Sequence, residues 1–313
     1  MRVAVLYGGD GEEREVSLKS GREVCRGLED AGHSVIPWEV GSLEEIIQHI
    51  SECSADIFFI ALHGDWGEDG RLQAVLSGAK KSFTGSSFAA CTYSMDKWRS
   101  KILFSASGIP VAPAFLAESG KGVPSIPEWV EADDSMVVVK PNSGGSTIGV
   151  SIVDITDPKA FCKALEDAFR HDSSAVVEKY IPGRELTVTV TSDGDHIGTL
   201  PVVEIVPLEG FYSYEAKYTS GKSSYIAPAD LEPEILQRVN DVSQKAFDAL
   251  GCRIYARVDI RLDREGVPFV LEVNTVPGMT ATSLVPKAAA AAGITFSDFL
   301  NSIVERSLSF SSR

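Results

Sequence analysis

Short apolar runs alternate with amphipathic helical stretches from the start of this chain, and that alternation restricts the possible folds more than any other feature. Arg2 to Tyr7 reads as a short buried strand. Val16 to Gly32 reads as a helix because Val16, Leu18, Val24 and Leu28 fall near helical spacing. The unit then repeats, with Ser34 to Trp38 as a strand, Leu43 to Cys53 as a helix and Asp56 to Leu62 as a strongly apolar strand. Strand, helix and strand in close succession need crossover connections, so the spacing predicts a parallel sheet flanked by helices as far as a boundary near residue 95.

Beyond that boundary the pattern changes. A polar helix carrying Lys97, Arg99 and Lys101 is expected over Thr92 to Gly108, with Arg99 and Lys101 solvated, and Pro110 to Pro127 reads as loop and linker. A strand at Met136 to Lys140, a glycine-rich turn at Asn142 to Gly149, a helix at Pro158 to Arg170 and a strand at Ala175 to Tyr180 make a compact α+β module. Glu185 to Thr191 and His196 to Pro207 alternate as antiparallel strands with one wet face do. Gly210 to Pro228 lacks any periodic pattern, which at that length marks a working loop. A helix at Pro233 to Leu250, strands at Arg257 to Leu262 and Pro268 to Val273, and an Ala-rich final helix complete the reading. The fold class is therefore α/β at the start and α+β afterwards, and 313 residues with 44% hydrophobic content suit two or three domains.

Charge narrows the partners. Lys and Arg number 29 against 44 Asp and Glu, and a net charge of -15 repels nucleic-acid phosphates and anionic membrane surfaces. Small molecules are favoured over both, and no apolar run approaches the length of a membrane helix. Cys25, Cys53, Cys91, Cys162 and Cys252 are far apart and odd in number, which argues against a disulfide framework or a zinc site. The N-terminus enters its first strand without the basic, apolar and small-residue succession of an export signal, so the cytoplasm is the expected compartment.

Two familiar nucleotide fingerprints fail. No frame through Gly8, Gly9 or Gly11 completes GxGxxG, and Gly221-Lys222-Ser223 lacks both the first glycine and the preceding strand of a P-loop. More informative is Lys140 to Gly149, where a lysine ends a Val-rich strand before a loop of small residues. Its N–H groups and hydroxyls can cradle phosphate, or the segment can be a plain hairpin turn. The densest signal is Arg257-Val258-Asp259 followed by Glu272-Val273-Asn274. With side chains alternating at period two, pairing of these strands brings four polar groups to one face. Two carboxylates and an amide oxygen are hard ligands suited to Mg²⁺, and the arginine suits a transferring phosphoryl group or an oxyanion. From spacing alone, a solvated sheet face with cross-strand ion pairs explains the same residues.

Ordered motifs run along nearly the whole chain: Gly8-Gly9 with Glu13 to Ser17, Leu62-His63-Gly64 with Gly67 to Gly70, Met95-Asp96-Lys97, the Lys140 loop, Glu178-Lys179 with Gly183 and Glu185, Tyr212 to Tyr218, Arg257 with Asp259, Glu272 with Asn274, Pro277 to Thr280, and Ser283 to Pro286. In this order and spacing they resemble the D-alanine:D-alanine ligases of the ATP-grasp superfamily. Ser143-Gly144-Gly145 departs from the bulkier residues many members carry in the phosphate loop.

The resemblance implies an ATP-grasp fold with an N-terminal parallel-sheet domain at 1–95, a central domain at 96–181 and a C-terminal domain at 182–313. It implies ligation of two D-alanines through an acyl phosphate for peptidoglycan precursor synthesis, with a D-alanyl depsipeptide or mixed dipeptide as the neighbouring alternative. ATP would lie against Lys97, Lys140, Glu178, Lys179, Ile181 and Glu185, with Lys217 reaching the transferred phosphate from the loop. Two Mg²⁺, for which Mn²⁺ can substitute, would rest on Asp259, Glu272 and Asn274. Glu15 would anchor the first D-alanine's ammonium, near His63 and linked to Ser146 and Tyr218. Arg257 and the backbone at Gly278 would stabilise the tetrahedral intermediate, and Ser283 with Leu284 would take the second carboxylate. The family also implies a homodimer.

Overall fold

The computed structural model describes residues 1–131, 134–145, 147–207 and 223–311, and the described strands form three sheets. In the first, β1 (Arg2–Gly8) runs parallel to β2 (Ser34–Val40) on one side and β3 (Ile57–Ile60) on the other. The crossover helix α1 (Arg14–Asp30) buries Leu18, Val24 and Leu28 against this sheet. Its approach is close because Gly21 faces Tyr7, and a Cβ at that position would overlap the tyrosine. Ser17, fully buried, accepts the Gly8 N–H at 2.9 Å and donates to the Ala61 carbonyl at 2.7 Å, which fixes the ends of β1 and β3 relative to the helix. The helices α2 (Leu43–His49), α3 (Asp65–Glu68) and α4 (Arg71–Gly78) complete this layer.

Two helices stand where the pattern suggested one, α5 (Phe88–Met95) and α6 (Lys97–Ala106). Asp96 separates them, its carboxylate accepting the Arg99 N–H at 2.9 Å as the N-cap of α6. The start of α6 also docks on Asn142, whose backbone carbonyl accepts the Lys97 N–H at 3.0 Å and whose side-chain oxygen accepts the Trp98 N–H at 2.8 Å.

The second sheet is antiparallel, in the order β4 (Ala114–Glu118), β7 (Ser174–Lys179), β5 (Met136–Pro141) and β6 (Ser151–Asp154), with α7 (Pro158–Phe169) packed on it through Phe161, Ala164 and Leu165. β4 falls inside the stretch expected to be linker. It is only five residues long and takes its order from pairing with the distant β7, so no local alternation announces it. The third sheet has the order β11 (Ser223–Ile226), β10 (Val203–Pro207), β8 (Arg184–Ser192), β12 (Tyr255–Leu262) and β13 (Pro268–Asn274), with β9 (Ile197–Thr199) also on β8 and α8 (Pro233–Ala249) packed against it. The strand expected over 196–207 is split into β9 and β10, with Pro201, which has no N–H for a ladder, between them.

The Ala-rich end is two helices, α9 (Leu284–Ala291) and α10 (Phe296–Ser311), separated at Gly293, whose φ of +75° breaks the helical path. α10 returns to the N-terminal layer. Phe299, Leu300, Ile303 and Val304 share one buried cluster with Val3, Val5, Leu28 and Phe59, joined by Tyr255, Met279 and Val285. The first sheet therefore closes its core with residues from the far end of the chain. Among the described residues, no helix is long and apolar enough to cross a membrane.

Candidate active site

The pairing of β12 with β13 sets Arg257 opposite Asn274 and Asp259 opposite Glu272, the cross-strand face required by the period-two reading. The next pair is Ile260 with Val270, so Leu271 is an extra residue and the ladder carries a bulge. The bulge turns Leu271 and Glu272 to the same side, and both line a cleft between the second and third sheets. One face of that cleft comes from the third sheet, through Glu185, Asp259 and Arg261. The other comes from the second, through Lys140 on β5, Glu178 on β7 and the segment Lys179 to Ile181. The small-residue loop after Lys140 forms a rim, and Lys97 reaches in from α6.

The charges of this cleft are stored in pairs. Arg257 holds Asp259 through two donors, Nε to Oδ1 at 2.9 Å and Nη2 to Oδ2 at 2.8 Å, and Thr187 donates to Oδ1 at 2.6 Å. Lys97 lies 3.0 Å from Glu272 Oε2 and donates to the Gly144 carbonyl at 2.7 Å. Arg261 donates to Glu185 at 2.9 Å, to the Ile181 carbonyl at 3.0 Å and to the Tyr180 hydroxyl at 3.1 Å, joining the two sheets at one edge of the cleft. Sequence reasoning passed over Arg261, although the alternation through Arg257 and Asp259 puts it on the same face.

Glu178 sits between two lysines. Lys140 Nζ is 2.7 Å from Oε1 and Lys101 Nζ is 2.8 Å from Oε2. Burial alone would push the Glu178 carboxyl up, but the two ammonium groups prevail and hold it at about 2. Lys101 was expected to be solvated with Arg99, yet only 5% of its side chain is exposed, and burial pulls its ammonium below its ordinary value against the opposing effect of Glu178. A counter-ion more than seventy positions away makes such burial tolerable, and local sequence does not announce it. Arg99 is solvent-exposed as expected.

The phosphate loop is partly tied down. Ser143 N–H donates to Asp172 at 2.8 Å and Gly144 N–H to the Met95 sulfur at 3.2 Å, so these two donors of the expected cradle have internal partners. Lys179 lines the cleft while its amine pairs with Asp134 at 2.6 Å. Asn274 accepts the Val276 N–H at 3.1 Å. His63 is buried, with Nδ1 3.1 Å from the Val276 carbonyl and 3.3 Å from Glu68, and Nε2 2.9 Å from the Ser20 hydroxyl. It braces the turn that leads to Gly278. Ser283 precedes α9 and folds back on that turn, its hydroxyl accepting the Thr280 N–H at 3.1 Å, while Leu284 packs with Ile205 and Tyr225. Ser146, Lys217 and Tyr218 lie outside the described residues.

Glu15 and Glu13 stand on either side of the start of α1. The Glu15 side chain is 80% exposed on the first turn of α1, 3.9 Å from Arg14. Glu13, two residues earlier, points toward the phosphate loop: its Oε2 is 2.8 Å from where a Cβ on Gly64 would stand and 3.2 Å from the same point on Gly145. Both residues belong to the Glu-Arg-Glu run, and only the turn preceding α1 decides which of them faces inward.

The donor set on β12 and β13 fits a hard divalent cation. Asp259 and Glu272 are directly opposed, Asn274 follows on the same face, and all three present oxygen. Among the described residues no cluster of three His, Cys, Asp or Glu side chains gathers, so water or phosphate oxygens would complete the coordination.

Comparison with known proteins gives the family. Residues 103–305 match the family described as D-ala D-ala ligase C-terminus. The D-alanine–D-alanine ligase of Gloeobacter violaceus is 44% identical over 309 residues, covering 98% of this chain and 100% of that protein. A crystal structure of the D-alanine–D-alanine ligase from Bacillus anthracis superposes with a TM-score of 0.86 at 34% identity, covering 100% of this chain and 99% of its own. The same enzyme complexed with ATP gives 0.85 at 33% identity over the same shares of both chains.

Proposed function

The chain belongs to the D-alanine–D-alanine ligase family, and from that premise we propose that its cleft joins two D-alanines at the expense of ATP, releasing ADP. Its fold is ATP-grasp with an N-terminal parallel-sheet unit, and its place is in peptidoglycan precursor synthesis. The observation that carries the residue assignments is Asp259 and Glu272 standing across one cleft from Lys140 and its loop, with Arg257 and Asn274 on the same strand face.

A carboxylate is a poor electrophile, so the first D-alanine attacks the γ-phosphorus of ATP through a carboxylate oxygen. ADP leaves, and an acyl phosphate forms. The second D-alanine, as its free amine, then attacks the activated carbonyl, inorganic phosphate departs with the carboxylate oxygen, and the amine proton is lost. Phosphoryl transfer depends on positioning and charge neutralisation more than on covalent help. Lys97 and Lys140 serve the phosphates by exchanging their carboxylate partners for phosphate oxygens. Adenine lies against Lys179 to Ile181 with Glu178 beneath, and Glu185, oriented by Arg261, takes the ribose. Two Mg²⁺ held by Asp259, Glu272 and Asn274 would neutralise phosphate charge when bound, with Mn²⁺ an acceptable substitute. Arg257 and the Gly278 backbone face the oxyanion, and Ser283 with Leu284, at the N-terminus of α9, receives the second carboxylate.

Glu15 is the ammonium anchor in this proposal, and Glu13, beside Gly145 and hence one residue from Ser146, is a second carboxylate at the phosphate loop. Ser146, Tyr218 and Lys217 keep their roles in this proposal, with the 210–228 segment excluding water from the acyl phosphate. Three domains divided at 95 and 181, a homodimer and a cytoplasmic location complete the reading. Its test is ADP release and dipeptide formation from D-alanine, ATP and Mg²⁺. Equal production of D-alanyl-D-lactate when D-lactate competes at pH 7 would overturn the assigned acceptor.

A further inference from the structure

Two lysines and one carboxylate form a group buried behind the nucleotide cleft, and its parts are unequally placed. Lys140 and Glu178 line the cleft, whereas Lys101 approaches from α6 with its amine also donating to the Ala112 carbonyl at 3.3 Å. Each Glu178 oxygen has its own lysine, at 2.7 Å and 2.8 Å. The arrangement therefore carries one more positive charge than it needs internally, and the charge that faces the cleft belongs to Lys140.

We propose that Lys101 is a positioning residue for nucleotide binding, acting through Glu178 to free Lys140 for the phosphates. This rests on the reading of the cleft as an ATP site and adds a role that none of the motifs assigns. The physical argument concerns what Glu178 does when Lys140 turns away. A carboxylate that is 2% exposed pays a large penalty if it is left without a counter-ion. With Lys101 in place, Lys140 can exchange Glu178 for a phosphate oxygen and the carboxylate remains paired. Without Lys101, Lys140 becomes the last partner of a buried anion and is held back from the ligand. Holding Glu178 from behind also fixes the carboxylate beneath the adenine-side segment, since Glu178 and Lys179 are adjacent on β7.

This role separates from simple packing because it works only through the Glu178 charge. The test is a double-mutant cycle of Lys101→Met and Glu178→Gln in the full-length protein. It is read by calorimetric ADP binding in the presence of Mg²⁺ and by KM for ATP and for D-alanine, with thermal melting as the check on folding. Lys101→Met is expected to weaken ADP binding and raise KM for ATP at least about tenfold, with KM for D-alanine changed less than about twofold. On the Glu178→Gln background, where no buried anion needs a partner, the same replacement is expected to change ADP binding by less than about twofold. If Lys101→Met does not fold, a loss of ADP binding in the double variant relative to Glu178→Gln still overturns the proposal, because the carboxylate is absent from both. An equal loss on both backgrounds, or no loss on either, would overturn the proposal. ADP binding is measured without D-alanine, so a failure of the ligase reading appears separately, as normal nucleotide binding by the unaltered protein with no dipeptide formed.

Discussion

Replacing Glu13 or Glu15 by Gln removes one charge from either end of the same Glu-Arg-Glu run, and the two variants should behave very differently. Glu15 is 80% exposed with Arg14 at 3.9 Å, a surface pair of the kind worth about 0.2 to 1 kcal/mol at most. A charge on the first turn of a helix adds roughly 0.3 to 1 kcal/mol through the helix dipole. Glu15→Gln should therefore cost at most about 1 to 2 kcal/mol of stability. Glu13 stands against Gly64 and Gly145, and Glu13→Gln should leave both Michaelis constants within about threefold. A charge-assisted hydrogen bond to the substrate ammonium contributes about 1.5 to 3 kcal/mol, which is roughly a 10- to 150-fold rise in KM for the first D-alanine on Glu15→Gln. KM for ATP should change little. The assay is ADP release coupled to NADH oxidation, with D-alanine and ATP varied separately. If Glu13→Gln raises the D-alanine constant more than Glu15→Gln does, Glu15 is not the anchor.

Other perturbations test other parts of the structure. Glu272→Gln takes a charge from the metal face opposite Asp259, and turnover should fall by several orders of magnitude while the melting temperature holds; near-normal activity at ordinary Mg²⁺ would exclude this site. Glu178 is held at about 2 against an ordinary 4.5, a lowered carboxylate value, so its stabilising contribution is fully present above 4.5 and is lost as pH falls toward 2. Urea unfolding followed by fluorescence should show that decline in the unaltered protein and a weaker one in Glu178→Gln, and identical pH slopes would argue that the two lysine contacts do not matter to stability. Gly21→Ala pushes a methyl group into Tyr7 where α1 crosses β1, and should lower stability by about 1 to 3 kcal/mol or more in the same assay.

Much of this architecture was legible before the structure because it is written in local patterns. The alternation through Val3, Val24 and Phe59 announces a parallel sheet, and the period-two face of Arg257, Asp259, Glu272 and Asn274 announces a cross-strand site. What escaped is non-local. β4 is a strand only because β7 accepts it, and the first sheet's core is completed by α10 from the opposite end of the chain. Lys101 resembles its solvated neighbour Arg99 until Glu178 is brought to it. The Asp96 cap shows a middle case: an acidic residue before Lys97, with Arg99 three positions on, is a readable helix start, and one long helix was nonetheless the simpler reading. Glu13 and Glu15 carry the same chemistry two residues apart, so only backbone geometry separates them. The bulge at Leu271 turns one more apolar side chain to the cleft than strict alternation permits.

The central claim is that this cleft activates the carboxylate of one D-alanine as an acyl phosphate before the second attacks. D-alanine labelled with ¹⁸O in both carboxyl oxygens tests it directly, with the inorganic phosphate from a single round of ligation analysed by mass spectrometry. The mechanism predicts one ¹⁸O in each phosphate released, with ADP, phosphate and D-alanyl-D-alanine formed in equal amounts. Unlabelled phosphate accompanying full dipeptide formation would contradict it.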